Sequence, residues 1–390
     1  MPLSDPSSST TTAPLVEPDG AIGILGGGQL GRMLASAGAR LGLKTRIFAP
    51  EARCPAADTA TAHSVASYTD EEALAEFAKS VDVVTYEFEN VPVETVDALA
   101  AFGARVAPGV RSLAVAQDRL REKEFAQSIG ARTAPYHAVD DLDSLDEGLK
   151  KIGPPAILKT RRLGYDGKGQ TVIVADDGDL SQTWEKAQAH AWQALGARPS
   201  ILEGFIPFER EISVIGARGA DGEIALYDAA ENIHRDGILK TSAVPASVNS
   251  AALEKACAIA KKMLEELDYV GVMGVEFFVV EDGDVLVNEI APRVHNSGHW
   301  TLDACAVSQF EQHIRAVAGW PLGDPARHSD AVMENLIGEE IGDWRRWACK
   351  RQTCIHLYGK REARPDRKMG HVTRLYPRSE GRPTLVGFSQ

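Results

Sequence analysis

The chain has 390 residues, with 42 Lys and Arg against 55 Asp and Glu, for a formal net charge of −13. At about 150 residues per domain this length suggests two or three domains, large enough to bury a core without disulfide or metal staples. The acidic balance argues against nucleic acid as a partner, since that requires Lys and Arg to displace phosphate counterions, and no apolar run approaches the ~18–20 residues of a membrane span.

Residues 1–20 are rich in Ser, Thr and Pro and lack both a basic start and an apolar stretch, so they read as a disordered tail and not a secretory signal. From Ala21 the pattern changes. Ala21 to Leu25 is an apolar strand, followed by Gly26-Gly27-Gly28-Gln29-Leu30-Gly31 and a helix to about Leu41. Strands near Thr45–Ala49 and Val81–Tyr86 complete a β-α-β alternation, which predicts an open parallel sheet over residues 21–115. Gly26-x-Gly28-x-x-Gly31 with Glu51 further on matches a dinucleotide fingerprint; the same glycines also serve a tight turn or another phosphate.

A helix is expected from Asp118 to Ile129, stopped at Gly130. Ile157-Leu158-Lys159 is a short strand ending in a lysine. The glycine-rich stretch 164–170 follows it, and a strand resumes at Thr171. Two strands joined by a basic glycine loop suit a mobile phosphate cover, because glycine lets backbone amides approach phosphate oxygens. Residues 199–243 read as several strands, 250–267 as a helix, 270–290 as a hairpin and 302–318 as one helix. The last ~60 residues read as short strands with a basic loop at 360–368. The five cysteines, Cys54, Cys257, Cys305, Cys349 and Cys354, form no C-x-x-C pair, which fits reduced thiols in a cytoplasmic enzyme better than a disulfide framework or a zinc site.

The hairpin carries the sharpest physical signal. A two-residue turn at Asp282-Gly283 places Glu276 directly opposite Glu289 in apolar strands. Opposed buried carboxylates are unstable unless one is protonated or a divalent cation lies between them, and Mg²⁺ suits a site of carboxylates and phosphate oxygens. Arg293 and His295 follow in a run of hydrogen-bonding side chains. Arg293 is suited to fork onto an oxyanion and His295 to exchange protons. His299 lies four residues beyond His295, but Gly298 argues against a helical zinc pair.

Three motifs together carry a resemblance: Gly-Gly-Gly-Gln-Leu-Gly-Arg-Met at 26–33, Gly-Tyr-Asp-Gly-Lys-Gly-Gln at 164–170, and Asn-Glu-Ile-Ala-Pro-Arg-Val-His-Asn-Ser-Gly-His-Trp at 288–300. From Ala21 to about Pro377 the chain resembles an ATP-grasp enzyme. Within that superfamily it is similar to the 5-(carboxyamino)imidazole ribonucleotide synthetase family, ADP-forming ligases of purine synthesis. The resemblance implies an α/β and α+β multidomain fold: an N-terminal parallel sheet to residue 115, a central ATP-grasp domain over 116–325 and a small β-rich domain over 326–390. It implies ATP contacts from Arg119, Lys159, Gly164, Tyr165, Asp166, Gly167, Lys168, Gly169 and Gln170. Glu203, Gly204, Phe205 and Ile206 would form an adenine hinge, with Glu211, His234, Asn288 and Glu289 nearby.

Glu276 and Glu289 would hold Mg²⁺. Aminoimidazole ribonucleotide would meet Gln29, Leu30, Glu87, Tyr165, Asp166, Lys168, Asn296, Ser297, Lys360, Arg367 and Lys368. Asp166, Arg293, His295 and Lys360 would serve catalysis, with bicarbonate as co-substrate. A homodimer and hand-over of product to a mutase are family expectations. Asn288-Glu289 departs from the Glu-x-Asn order of many ATP-grasp enzymes. The competing readings are a formate-dependent purine transformylase, a biotin carboxylase-like ligase, an NAD-dependent oxidoreductase resting on Gly26, Gly28, Gly31 and Glu51, and a non-catalytic nucleotide-binding regulator.

Overall fold

The computed structural model describes residues 15–164, 168–174 and 188–378. Strands β1 (Ala21–Leu25), β2 (Lys44–Ala49), β3 (Ala62–Val65) and β4 (Val83–Tyr86) form a parallel sheet in the order β3-β2-β1-β4. Ile22, Ile24 and Leu25 are fully buried, as an apolar strand flanked on both faces requires. Helices α1 (Gln29–Arg40), α2 (Glu71–Lys79) and α3 (Val93–Ala101) accompany the sheet, and α4 (Val110–Ala116) leads into α5 (Arg119–Ser128). Asp70 and Asp118 cap α2 and α5 by accepting backbone N–H bonds in their first turns. Gly130 follows α5 at φ 84°, the left-handed conformation that ends helices.

A second, antiparallel sheet has the order β5-β8-β6-β7, from β5 (Tyr136–Val139), β6 (Ala156–Thr160), β7 (Gln170–Ile173) and β8 (Ser200–Gly204). Helix α6 (Leu142–Ile152) starts in a capping box between Asp141 and Ser144 and packs Leu145 and Leu149 under this sheet. The third sheet is the largest. It contains β9 (Phe208–Arg218), β10 (Ile224–Leu226), β11 (Ala230–Arg235), β12 (Ile238–Val244), β13 (Gly271–Val280) and β14 (Val285–Ala291), followed by β15 (Ser329–Ile337), β16 (Thr353–Leu357) and β17 (Lys368–Pro377). Its order is β14-β13-β9-β11-β12-β15-β17-β16, with β10 paired to β9. The C-terminal strands therefore continue the central sheet through the β12–β15 pairing. Helix α7 (Ser250–Glu266) buries Ala256, Ile259, Ala260, Met263 and Leu264 against β9 and β13.

Two local expectations are corrected. The expected single helix over 302–318 is two: α8 (Thr301–Ala304) and α9 (Gln309–Ala318). Cys305 is extended at φ −124°, ψ 151°, and Ser308 starts α9 afresh by accepting the Glu311 N–H. The last segment holds strands of nine and ten residues and a short helix, α10 (Trp344–Ala348), where short strands were expected.

The β13–β14 hairpin is the instructive case. Its turn is not the two-residue Asp282-Gly283 type. The Val280 N–H bonds Asp284 O at 3.0 Å around a three-residue loop with Gly283 at φ 75°. Val279 then faces Val285 and Phe277 faces Val287, one residue off the expected register. A bulge follows, in which Asn288 has no cross-strand partner, and Glu276 comes to lie opposite Glu289. The bulged Asn288 carbonyl accepts a hydrogen bond from Lys123 Nζ at 2.6 Å.

Candidate active site

The bulge brings two acids face to face beside a cleft of about 580 Å³ between the parallel sheet and the two antiparallel ones. Glu276 is buried; Glu289 lines the cleft wall, and its Oε2 lies 3.1 Å from Arg119 Nη1. Burial, then the facing Glu289, pushes Glu276 up to about 8. Burial opposes ionisation of Glu289 too, but Arg119 and Lys159 outweigh it and hold Glu289 well below the usual carboxylate range. The two facing carboxylates thus resist being ionised together without a further positive charge. That is the electrostatic state of a carboxylate pair suited to a divalent cation, so the residues present fit one.

His234 and Glu211 adjoin the pair, with Nδ1 2.5 Å from Oε2. Burial works against the charged imidazole, but the Glu211 hydrogen bond leaves His234 raised. His295 Nε2 stands 3.6 Å from Glu276 Oε1. Its backbone is clamped by Gln309, whose Oε1 accepts the His295 N–H at 2.9 Å while Nε2 donates to the His295 carbonyl at 2.7 Å. Its Nδ1 lies 2.8 Å from Ser297 Oγ. Burial and the neighbouring Arg293 lower His295 to about 3, so the ring is neutral near pH 7. Ser297 is fully buried against Ser213 and orients this ring from behind instead of facing the cleft.

On the glycine-loop side, Lys159 Nζ donates to Glu203 Oε2 at 3.0 Å, and Lys123 Nζ lies 3.6 Å from the same oxygen. Burial lowers Lys159; Lys123 and Lys159 overcome burial to hold Glu203 at about 2. The Glu203 carboxylate is thereby committed to two lysines. Only the backbone of 203–206 is left to serve as a hinge, and there Gly204 and Phe205 N–H already donate to Pro135 and Pro155 carbonyls. Phe205 is exposed. Arg119 Nη2 reaches the Gly164 carbonyl at 3.5 Å, and Thr160 N–H bonds Gly169 O at 2.8 Å, closing the base of the loop between β6 and β7. Tyr165, Asp166 and Gly167 lie outside the described residues.

The N-terminal glycine turn has an occupant of its own. Glu87 accepts the Gly28 N–H at 2.8 Å and the Gly31 N–H at 3.2 Å, so the carboxylate takes the place a pyrophosphate would need. Glu51 is exposed and does not line the cleft. This overturns the dinucleotide reading of Gly26, Gly28 and Gly31. Gln29, Leu30, Glu87, Lys168, Asn296, Lys360, Arg367 and Lys368 do line the cleft. Lys360 Nζ donates to the Lys368 carbonyl at 2.6 Å, and Asn296 exchanges amide bonds with Asn335. Lys159, Gly169, Gln170, the 203–206 segment, Glu211, His234, Glu276, Asn288 and Ser297 lie off the wall of this main cleft.

Several groups escaped sequence reasoning. Glu89 is ion-paired with Arg293 in the cleft wall. Glu122, pushed up to about 7 by burial, accepts the Ile290 N–H at 2.6 Å. Lys123 holds the Asn288 bulge, and Asp118 receives two bonds from Arg161. No sequence signal marks Glu122 and Lys123 apart from the other charged residues of α5; only their burial does.

Three family models match the chain. They are a ribonucleotide synthetase preATP-grasp domain over residues 20–117, an ATP-grasp domain over 124–310, and a phosphoribosylaminoimidazole carboxylase C-terminal domain over 331–381. The chain is 54% identical over 364 residues to an N5-carboxyaminoimidazole ribonucleotide synthase of Brucella melitensis, covering 93% of this chain and 98% of that one. A solved N5-carboxyaminoimidazole ribonucleotide synthetase in complex with ADP is similar at TM-score 0.88 and 41% identity, covering 93% of this chain and 94% of the other. The N5-carboxyaminoimidazole synthase of Aspergillus clavatus, in complex with ADP and 5-aminoimidazole ribonucleotide, is similar at TM-score 0.84 and 30% identity, covering 92% and 94%.

Proposed function

The chain belongs to the N5-carboxyaminoimidazole ribonucleotide synthase family, and we propose that its cleft carries out the family reaction with the residues described above. The enzyme is an ADP-forming ATP-grasp ligase that carboxylates the exocyclic amine of 5-aminoimidazole ribonucleotide in purine biosynthesis. The observation that best supports the site assignment is the Glu276–Glu289 pair, set beside Arg119 and within reach of His295.

In this reading a bicarbonate oxygen attacks the γ-phosphorus of ATP, the bond to the β-phosphate oxygen breaks, and ADP leaves behind carboxyphosphate. Arg119 and Lys159 supply fixed positive charge to the transferring phosphoryl group, in a site where preorganised charge needs no reorganisation. Glu276 and Glu289 would hold Mg²⁺, which when bound supplies further charge neutralisation at the phosphates. Loop 164–170 covers the labile product and excludes water from it. Carboxyphosphate breaks down to carbon dioxide and phosphate within the closed site, and the exocyclic amine attacks the carbon. The amine loses a proton as the new C–N bond forms. By their positions in the motifs, His295 and Asp166 are the two candidates to take that proton. Arg293 faces the bicarbonate, and Lys360, Arg367 and Lys368 face the ribonucleotide phosphate.

The same reading includes a homodimer, a cytoplasmic location and hand-over of product to a mutase. Among the described residues no helix is long and apolar enough to cross a membrane. ADP release from Mg-ATP, measured with the ribonucleotide and bicarbonate added separately and together, tests the function. Strong stimulation only with both, and bicarbonate-dependent loss of the free amine, is the expected result; stimulation by formate in place of bicarbonate would overturn it.

A further inference from the structure

The C-terminal hairpin carries a second cluster of ligating side chains, away from the carboxylate pair. In β16, Cys354 and His356 are two residues apart and share a face of the strand. His356 lies directly opposite His371 of β17, their rings stacked at 4.5 Å. Asp303, at the end of α8, closes the group. Both of its carboxylate oxygens are 3.0 Å from His356 Nε2, and the Cys354 thiol lies within reach of its charge. Donor atoms of Asp303, His356 and His371 all lie within 4.8 Å of one another.

An independent observation points to a ligand. His371 is fully buried; its Nδ1 is 2.8 Å from the Tyr358 hydroxyl, but its Nε2 has no hydrogen-bond partner. A buried imidazole nitrogen left unpaired costs free energy unless something binds it. Beside it, His299 also has a buried Nε2 without a partner, its ring 4.8 Å from that of His371.

We propose that Asp303, Cys354, His356 and His371 form a zinc-class transition-metal site that fastens the C-terminal hairpin to the segment bearing Arg293 and His295. One sulfur, two imidazole nitrogens and one carboxylate are the mixed donors that select Zn²⁺ over Mg²⁺, which takes oxygen alone. The charges balance: a thiolate and a carboxylate neutralise the dication, and the thiol proton passes to the buffer on binding. The site sits at the foot of the loop that carries Lys360, Arg367 and Lys368, so a bound ion would stiffen the cationic wall of the cleft.

The test uses the full chain, stripped with chelator and titrated with Co²⁺. The expected result is one equivalent bound per chain with a thiolate-to-cobalt charge-transfer band, bleached by Zn²⁺. Cys354→Ser should abolish the band, His356→Gln should weaken binding roughly a hundredfold, and Glu289→Gln should leave the band intact. Zn²⁺ should also raise the melting temperature of the stripped wild type and not that of Cys354→Ser, a near-isosteric change that keeps the test open if His356→Gln fails to fold. Absence of the band at one equivalent, or its persistence in Cys354→Ser, would overturn the proposal.

Discussion

Glu89 and Arg293, 204 residues apart in the chain, form an ion pair in the wall of the cleft. The pair joins the loop after β4 to the loop after β14. Among the described residues, the other hydrogen bond of this guanidinium goes to the Val294 carbonyl, at 3.1 Å. Burial disfavours both charges; Arg293 lowers Glu89, and Glu89 raises Arg293.

Glu89→Gln should therefore act through Arg293. Removing one partner of a desolvated ion pair costs about 3–5 kcal/mol when nothing replaces it. Part of that cost should appear as a fall in kcat for ribonucleotide-dependent ADP release, roughly 10- to 100-fold, with the KM for ATP little changed. An equal rise in both KM values with kcat intact would reject a positioning role.

The carboxylate pair predicts a pH signature. In the metal-free protein Glu276 is raised from 4.5 to about 8, so the folded state holds that proton more tightly than the unfolded chain. Its stabilising contribution is full below pH 4.5 and is lost as pH rises towards 8, at most about 1.4 kcal/mol per pH unit. Glu289, shifted down, acts with the opposite sign and only below pH 4.5. The buried His295, His299, His313 and His371 are all lowered and add stability as pH rises to 6.5, masking the effect below that point. Melting temperatures of wild type and Glu276→Gln, compared in EDTA, should converge from pH 6 to 8 in favour of the variant. Saturating Mg²⁺ should restore the wild type at pH 8.

Glu203 neutralises Lys123 and Lys159, and Lys123 also holds the bulged carbonyl of Asn288. Glu203→Gln leaves two buried ammonium groups facing each other, a loss of about 3–5 kcal/mol. The expected outcome is a clear drop in melting temperature together with weaker ATP binding by calorimetry. Lys123→Met, which removes the bulge anchor, should impair Mg²⁺-dependent ADP formation more than nucleotide binding.

Gly26 is at φ 111°, and a Cβ there would come 2.5 Å from Glu87 Oε1. Gly26→Ala should displace the carboxylate that caps the Gly28 and Gly31 amides, and Glu87→Ala should remove it, costing about 1–2 kcal/mol as lost caps do. Both variants should raise the KM for ribonucleotide several-fold and leave ATP binding unchanged. A matching loss of ATP binding would detach the glycine turn from the ribonucleotide side.

The elements were legible where apolar periodicity was unbroken, as in β1, α1 and α7. The 302–318 segment kept its apolar rhythm through Cys305 and Val307, so periodicity could not reveal that Ser308 starts a new helix. The facing of Glu276 and Glu289 was legible for a partly wrong reason: a three-residue loop shifts the register by one, and the Asn288 bulge shifts it back. Side-chain alternation carries no mark of either shift. Arg119, Arg293 and His295 were reachable through motif resemblance. Glu89, Glu122 and Lys123 were not, because their partners lie more than a hundred residues away and only packing brings them together. The Glu87 carboxylate beneath the glycine turn decided a question that the glycines alone left open.

The pairing of β12 with β15 has a consequence for how this chain can be cut and joined. Thr241 to Val244 pair residue for residue with Glu334 to Ala331, so the last strands are not a detachable module. A gene fragment ending near Asp324 would leave β12 as a naked sheet edge with Ile238, Leu239, Ala243 and Val244 at the seam, a template for strand-to-strand aggregation. Recombination with relatives would succeed at the surface loop 219–222 between β9 and β10, and fail in the connection before β15, although that connection looks like a linker.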